Sequence, residues 1–367
     1  MSTGFKAGFI ALGLIGGSIA KNIRKVFPDA YITALNRSGD TLDAALKDGI
    51  IDHGTMELDD SFMDCDLIFL CAPVDTNISY LKALKPYLTE KTLLTDVGSV
   101  KNKIHTAVEE YLPDCVFIGG HPMAGSEKSG YANSSGHLIE NAYYILTPGK
   151  NAEKKHIERY ETLVRKLGAL PLTLDPGLHD RITAAISHVP HMVAYNLVRL
   201  IEKEDSPEQY MKAIAAGGFK DITRIASSDP VMWEQICLEN PERITELLDK
   251  YIDMLEETRD LIKGKKGEEL HDIFENAKNY RDSVHDAPLG PIKKTYVIHL
   301  EVLDEPGAIA IVATILSSHG ISIKNIGIVH NRSYEEGALR IEFYDRESMA
   351  LGIADLMEKG YRIYSRS

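Results

Sequence analysis

The sequence predicts an α/β protein: an N-terminal Rossmann-like parallel sheet, an all-helical middle segment, and a small ferredoxin-like C-terminal module. Three observations lead there. Buried-strand and helix signals alternate repeatedly up to about residue 175, which requires a parallel sheet covered on both faces. From His179 to about Leu270 the signals are almost only helical, with apolar residues at helical spacing in stretches such as Glu242 to Leu261. Beyond the linker Ala287-Pro288-Leu289-Gly290-Pro291 the pattern reads β-α-β-β-α. The expected domains are 1–175, 176–286 and 293–367.

In order, Lys6 to Leu12 reads as a buried strand, and Gly13-Leu14-Ile15-Gly16-Gly17 opens a helix running to about Phe27. With Ala11 in the place of the first glycine, this nearly matches the dinucleotide fingerprint G-x-G-x-x-G. A pyrophosphate needs a tight turn, a bare backbone and a helix N-terminus, so Gly13, Leu14, Ile15 and Gly16 are candidate cofactor contacts. Tyr31 to Leu35 is the second strand. It ends in Asn36-Arg37-Ser38, where an NAD enzyme usually carries an acid for the ribose 2′-hydroxyl. Arg37 suits a 2′-phosphate, an adenine face or plain solvent, so NAD and NADP both stay open. Asp66 to Leu70 is another strand, with a turn at Cys71-Ala72-Pro73 that places Pro73 beside the cofactor, and a helix follows to near Tyr87. Thr92 to Asp96 is the next strand, and Val97-Gly98-Ser99-Val100-Lys101 leads into a helix through Tyr111.

Cys115 to Ile118 reads as a short buried strand, followed by the stretch Gly119 to Gly130, which packs His121, Ser126, Glu127 and Lys128 among glycines. A histidine just past such a strand sits where open α/β sheets bind ligands. Ser99 and His121 end successive strands, so a hydrogen bond between them is expected; a helix N-cap is the other reading of Ser99. Tyr143 to Thr147 and Ala169 to Leu174 read as closing strands around a helix from about Ala152 to Leu167.

In the helical segment His188-Val189-Pro190-His191 places two histidines near a helix start. The H-E-x-x-H order is missing and no cysteine is close, so a capping or core role for His188 is expected and no metal. His191 is expected to face the cleft between domains. In Gly217 to Ala226, Arg224 offers a rigid fork for a carboxylate, or an ion pair with Asp221 or Asp229. Trp233 is either a pocket wall or core.

A net charge of −13 argues against nucleic-acid or anionic-membrane partners. Four cysteines, none at C-x-x-C spacing, suit reduced thiols in the cytoplasm. Lys6 followed by Ala7 to Ala20 resembles a signal-peptide core, but glycines at phosphate-loop spacing set that reading aside. No later apolar run approaches the ~18 residues of a membrane span. The apolar faces of the helical segment suit a homodimer.

Taken together, Leu12-Gly13-Leu14-Ile15-Gly16-Gly17-Ser18, Asp96-Val97-Gly98-Ser99-Val100-Lys101, Gly120-His121-Pro122-Met123-Ala124-Gly125-Ser126-Glu127, Ser187 to His191, Gly217 to Ala226 and Asp229 to Trp233 resemble, in order, the motifs of the prephenate and arogenate dehydrogenases of tyrosine synthesis. The tail resembles an ACT domain, with Asp304, Pro306, Gly307 and Asn325 at its ligand-binding positions. The resemblance implies NAD(P)-dependent oxidative decarboxylation of prephenate. It makes His121 the base, Ser99 its orienting partner, Arg224 the carboxylate anchor and His191 a substrate-site wall. Ser126 and Glu127 would shape the entrance, with Trp233 and Asp221 reaching in from a partner subunit, and tyrosine would act on the ACT domain as feedback inhibitor. Three alternatives stand beside it. Arogenate dehydrogenase differs only in a substrate amino group. A 3-hydroxyacid or 6-phosphogluconate type enzyme would use a lysine of the helical domain. An amino-acid sensor with a dead dehydrogenase part is disfavoured by His121, Ser99 and Arg224.

Overall fold

The structure is a computed structural model that describes residues 4–125, 128–284, 296–302, 305–329 and 338–364. It forms two compact units that meet in sequence at Tyr280 and Arg281.

The first unit begins with β1 (Lys6–Ile10), α1 (Leu14–Val26), β2 (Tyr31–Leu35), α2 (Gly39–Lys47), β3 (His53–Thr55), β4 (Leu67–Leu70), α3 (Val74–Leu84), β5 (Leu93–Asp96), α4 (Asn102–Tyr111) and β6 (Val116–Pro122). It continues with β7 (Tyr143–Pro148), α5 (Lys154–Lys166) and β8 (Leu170–Thr173). The sheet order is β3-β2-β1-β4-β5-β6-β7-β8. The strands from β3 to β6 are parallel. β7 runs antiparallel to β6, and β8 parallel to β7. The sheet is therefore mixed at this edge rather than parallel throughout. Alternate side chains feed two apolar layers: Phe9 and Phe69 stack at 4.8 Å on one face, and Ile10, Ile68 and Leu70 pack on the other. The strand order reverses after β1, which opens a crevice between the carboxyl ends of β1 and β4.

β6 runs farther than Cys115 to Ile118. It includes His121, which pairs with Ile145 of β7. Gly120 is what lets the strand continue: a Cβ there would lie 2.6 Å from the Asp96 carbonyl oxygen. His121 thus sits in a strand, paired to β7, and not in a loop.

The helices that follow are α6 (Pro176–Thr183), a π-helical turn (Ala184–His188), α7 (Val189–Glu204), α8 (Tyr210–Ile214), α9 (Gly217–Thr223), α10 (Pro230–Glu239), α11 (Pro241–Lys263) and α12 (Gly267–Ser283). α6, the π turn and α7 run on without a break. Pro190 has no N–H to give the carbonyl of Ile186 and its ring crowds that carbonyl; a widened turn just before it accommodates both. α11 buries only Ile244, and α12 buries no residue. Among the described residues no helix is long and apolar enough to cross a membrane.

The second unit contains β9 (Tyr296–Glu301), α13 (Ala308–Ser318), β10 (Ile323–Val329), β11 (Ala338–Phe343), α14 (Arg346–Glu358) and β12 (Ile363–Tyr364). The all-antiparallel order β10-β11-β9-β12 is ferredoxin-like. Ile298, Leu300, Val312, Leu316, Leu339, Ile341, Phe343 and Leu356 make its core.

Candidate active site

The crevice beside β1 is built as the fingerprint demands, with one anomaly. Ala11 has φ 75°, left-handed backbone that glycine adopts freely and alanine only at a cost. It is held there because its N–H donates to the Leu35 carbonyl (2.8 Å). Gly16 is needed for close approach, since a Cβ would lie 2.7 Å from the Ala11 carbonyl oxygen. The first turn of α1 has neither a side-chain cap nor an acidic residue, so its N–H groups and its positive dipole end are available to an anion. At the end of β2, Asn36 accepts from the Leu12 N–H (3.2 Å) and donates to the Ser38 carbonyl (3.2 Å). Arg37 is exposed. The turn before Pro73 is braced by the buried Asn77, which accepts from the Ala72 N–H (3.1 Å) and donates to the Ala72 carbonyl (2.8 Å).

His121 belongs to a buried line of polar groups. Its Nδ1 lies 2.8 Å from Nε2 of His179, and Nδ1 of His179 lies 2.8 Å from Oδ1 of Asp180. Both residues of the His179–Asp180 pair are fully buried. Asp180 also accepts the N–H groups of Lys101 and Asn102, each at 2.8 Å, so it caps α4 from the helical side. The network assigns the tautomers. His179 donates Nδ1–H to the carboxylate, so its Nε2 accepts. His121 must then donate Nδ1–H, which leaves its Nε2 a lone pair. Burial, with His179, Lys101 and His188 nearby, pushes the His121 pKa well below the usual histidine value. The ring is neutral at physiological pH.

The hydrogen bond expected from Ser99 to His121 is not formed: Ser99 is half-buried and its hydroxyl has no partner among the described residues. His121 Nδ1 lies instead against His179, and the first N–H groups of α4 are received by Asp180. A His-Asp pair at a helix start, right after the Asp175-Pro176-Gly177 cap signal, was the available clue.

The π turn aims a second cluster. His191 donates Nδ1–H to the Ser187 carbonyl (2.9 Å) and stacks on Trp233 at 3.6 Å between ring centroids. His188 meets the same ring edge-on at 6.0 Å, and burial pushes its pKa down to about 4. Arg224 is close enough to help hold the His191 pKa down, behind burial as the main cause. Trp233, only 6% exposed, packs with Val100 and Ile236 of its own chain. It walls its own chain's His191. Its indole N–H is buried with no partner among the described residues. Asp221 is exposed, and Asp229 caps α10 through the Met232 N–H (2.9 Å). Ser126, Glu127 and Asp304 lie outside the described residues. Pro306, Gly307 and Asn325 belong to the second unit, where Gly307, with φ 97°, starts α13 and Asn325 is exposed on β10.

Comparison with known proteins gives a consistent result. Residues 19–171 match the family model described as "Prephenate dehydrogenase, nucleotide-binding domain", and residues 175–276 match "Prephenate dehydrogenase, dimerization domain". A prephenate dehydrogenase of Bacillus subtilis (strain 168) is 39% identical over 334 residues, 90% of each chain. The structure of prephenate dehydrogenase from A. aeolicus in complex with hydroxyphenyl propionate and NAD+ aligns with TM-score 0.72 and 34% identity, over 77% of this chain and 99% of that one. Synechocystis arogenate dehydrogenase aligns with TM-score 0.69 and 28% identity, over 76% of this chain and all (100%) of that one.

Proposed function

The chain belongs to the prephenate dehydrogenase family, whose NAD-dependent step of tyrosine biosynthesis it carries out, and from that premise we propose how its residues perform the reaction. The observation that carries the reading is the 2.8 Å line from Asp180 through His179 to His121, which leaves one imidazole lone pair at the carboxyl end of the sheet.

The crevice fits a dinucleotide. The uncapped, acid-free first turn of α1, with Gly13, Leu14, Ile15 and Gly16, receives the pyrophosphate. Asn36, Arg37 and Ser38 lie where the adenosine ribose belongs, and Pro73 and Ser99 lie toward the nicotinamide end. Bound there, NAD supplies the acceptor for the hydride of prephenate C4. His121 Nε2 takes the proton of the C4 hydroxyl as the C4–O bond becomes a carbonyl. The C1 carboxylate then leaves as CO₂, its bonding electrons make the ring aromatic, and His121 returns the proton to the new phenolate. Asp180, acting through His179, stabilises the imidazolium between those two transfers. The low ground-state basicity of His121 is countered when prephenate arrives, because its two carboxylates favour the protonated ring. Arg224 anchors one of them, with His191 and Trp233 as the adjacent wall. Ser126 and Glu127, which precede Lys128 in sequence, remain proposed entrance residues.

Two further parts of the reading concern assembly and control. The apolar outer faces of α11 and α12, with Ile252, Leu255, Ile262 and Phe274 exposed, suit a second copy of the chain, so a homodimer forms through the helical segment. The ferredoxin-like unit acts as an ACT domain that binds tyrosine through Asp304, Pro306, Gly307 and Asn325; its order, β-α-β-β-α-β, is what supports this.

The test is His121→Asn, assayed at 340 nm with prephenate and NAD. A fall in kcat of about 10²–10⁴ is expected, with NAD affinity kept. Full activity would remove the base from His121.

A further inference from the structure

A buried ion pair lies just outside the line of histidines, and the reaction as written does not use it. The side chains of Lys101 and Asp96 are both fully buried and form a salt bridge. Lys101 Nζ also donates to the Gly120 carbonyl (2.8 Å). Asp96 accepts the Gly120 N–H (3.2 Å) and the Gly98 N–H (2.9 Å). Both main-chain groups of the residue before His121 are thus held by one ion pair. The Lys101 main chain meanwhile donates to Asp180 Oδ1 (2.8 Å), the same oxygen that receives the His179 proton.

A buried ion pair adds little net stability, because desolvation consumes most of its Coulomb energy. Two apolar side chains of the same volume would fill this space as well. What such residues would not do is grip both sides of Gly120; the main-chain donation to Asp180 would remain. The charges also carry information. With neutral imidazoles, Asp96, Lys101 and Asp180 leave one negative charge in excess, and a proton arriving on His121 brings the cluster to zero.

We propose that Lys101, locked by Asp96, is a positioning residue for the base: it fixes the place of His121 relative to the Asp180–His179 line and sets the pH range in which that base works. The proposal rests on the reading of His121 as base. The groups acting on His121 are His179 from α6, Lys101 from the start of α4 and His188 from the π turn; Asp180 stands behind His179, and Asp96 and, from α10, Glu239 stand behind Lys101. Burial pulls the Lys101 pKa down while Asp96 and Asp180 work against that, and its charge contributes to the low basicity of the His121 ring.

The test uses the full-length enzyme with Lys101→Met and, because a lone buried Asp96 threatens folding, the charge-free pair Asp96→Asn/Lys101→Met. Measured are kcat and KM from pH 5 to 9 (roughly the range over which a histidine titrates), the NAD dissociation constant, and far-UV circular dichroism. For the folded pair, kcat should fall about tenfold or more with prephenate KM nearly unchanged, as for a displaced base. In a folded Lys101→Met enzyme, where the cation is gone and Asp96 stays, the acid limb of kcat/KM should move up by about one pH unit. A native kcat in the folded pair would overturn the proposal, as would an unmoved acid limb in a folded Lys101→Met enzyme. An active His121→Asn would instead overturn the base assignment on which it stands, so the two failures are read from different variants.

Discussion

Asp180→Asn isolates the far end of the line that orients the base. The native carboxylate accepts three N–H groups, from His179, Lys101 and Asn102, each at 2.8 Å. An amide has one accepting oxygen. With its NH₂ in the Oδ1 position it donates to His179 Nδ1, forcing the His179 proton onto Nε2. That proton turns on His121 Nδ1, and the proton of His121 moves to Nε2, where the lone pair was. With the NH₂ in the Oδ2 position the tautomers survive, but the imidazolium loses its counter-charge. Either way kcat should fall about 10²–10⁴, or roughly 3–5 kcal/mol of barrier. One donor at the start of α4 is left unpaired, which costs about 1–3 kcal/mol of stability. The assay is NADH formation at saturating prephenate and NAD, with thermal melting alongside. Residues that act as a unit are not additive, so Asp180→Asn placed on His121→Asn should cost almost nothing more. A folded Asp180→Asn enzyme with native kcat, or a full additional loss in the double variant, would refute the relay.

Three more outcomes follow from the geometry. Ala11→Gly releases a left-handed alanine and should stabilise the enzyme by about 1 kcal/mol; a lower melting temperature would mean that the turn is not strained. Arg224→Ala should raise the KM for prephenate while the NAD dissociation constant holds, and an unchanged KM would remove it as the anchor. Stability should fall as pH drops from about 6.5 to 4. Burial holds His105 and His188 near 4 in the fold. Their folded values lie below the unfolded ones, so the unfolded chain binds more protons across that window. Each contributes on the order of 3 kcal/mol that is lost across it. Glu239, raised to about 7 by burial, works in the opposite sense between 7 and 4.5 and offsets part of the loss. Denaturant titrations at pH 7 and 5 with equal midpoints would contradict this.

The strand–glycine–helix openings were legible because one physical demand, a bare backbone at a helix start, leaves its mark on adjacent residues. The ferredoxin-like order was legible from periodicity alone, except for β12, which is two residues long. β3 has three residues, too few to show alternation. β6 was read short because glycines and proline are poor strand formers; its continuation is set by Asp96 and Tyr144, which pack against Gly120 from elsewhere in the chain. His121 stood out among its glycines, but its partner did not, since His179 lies 58 positions away. Ser99 was chosen because neighbouring strand ends suggest proximity, and proximity alone does not fix where a hydroxyl points. The π turn was hidden for a similar reason: Pro190 announces a disturbed helix, and the turn on which the disturbance falls is settled by packing around His188.

The tautomer of His121 can be observed directly by ¹⁵N-histidine NMR of the folded enzyme, with the ring assigned through His121→Asn. The account predicts a protonated Nδ1 and a bare Nε2 at neutral pH, with both shifts moving when Asp180→Asn is introduced. A proton resting on Nε2 of His121 in the native enzyme would contradict it.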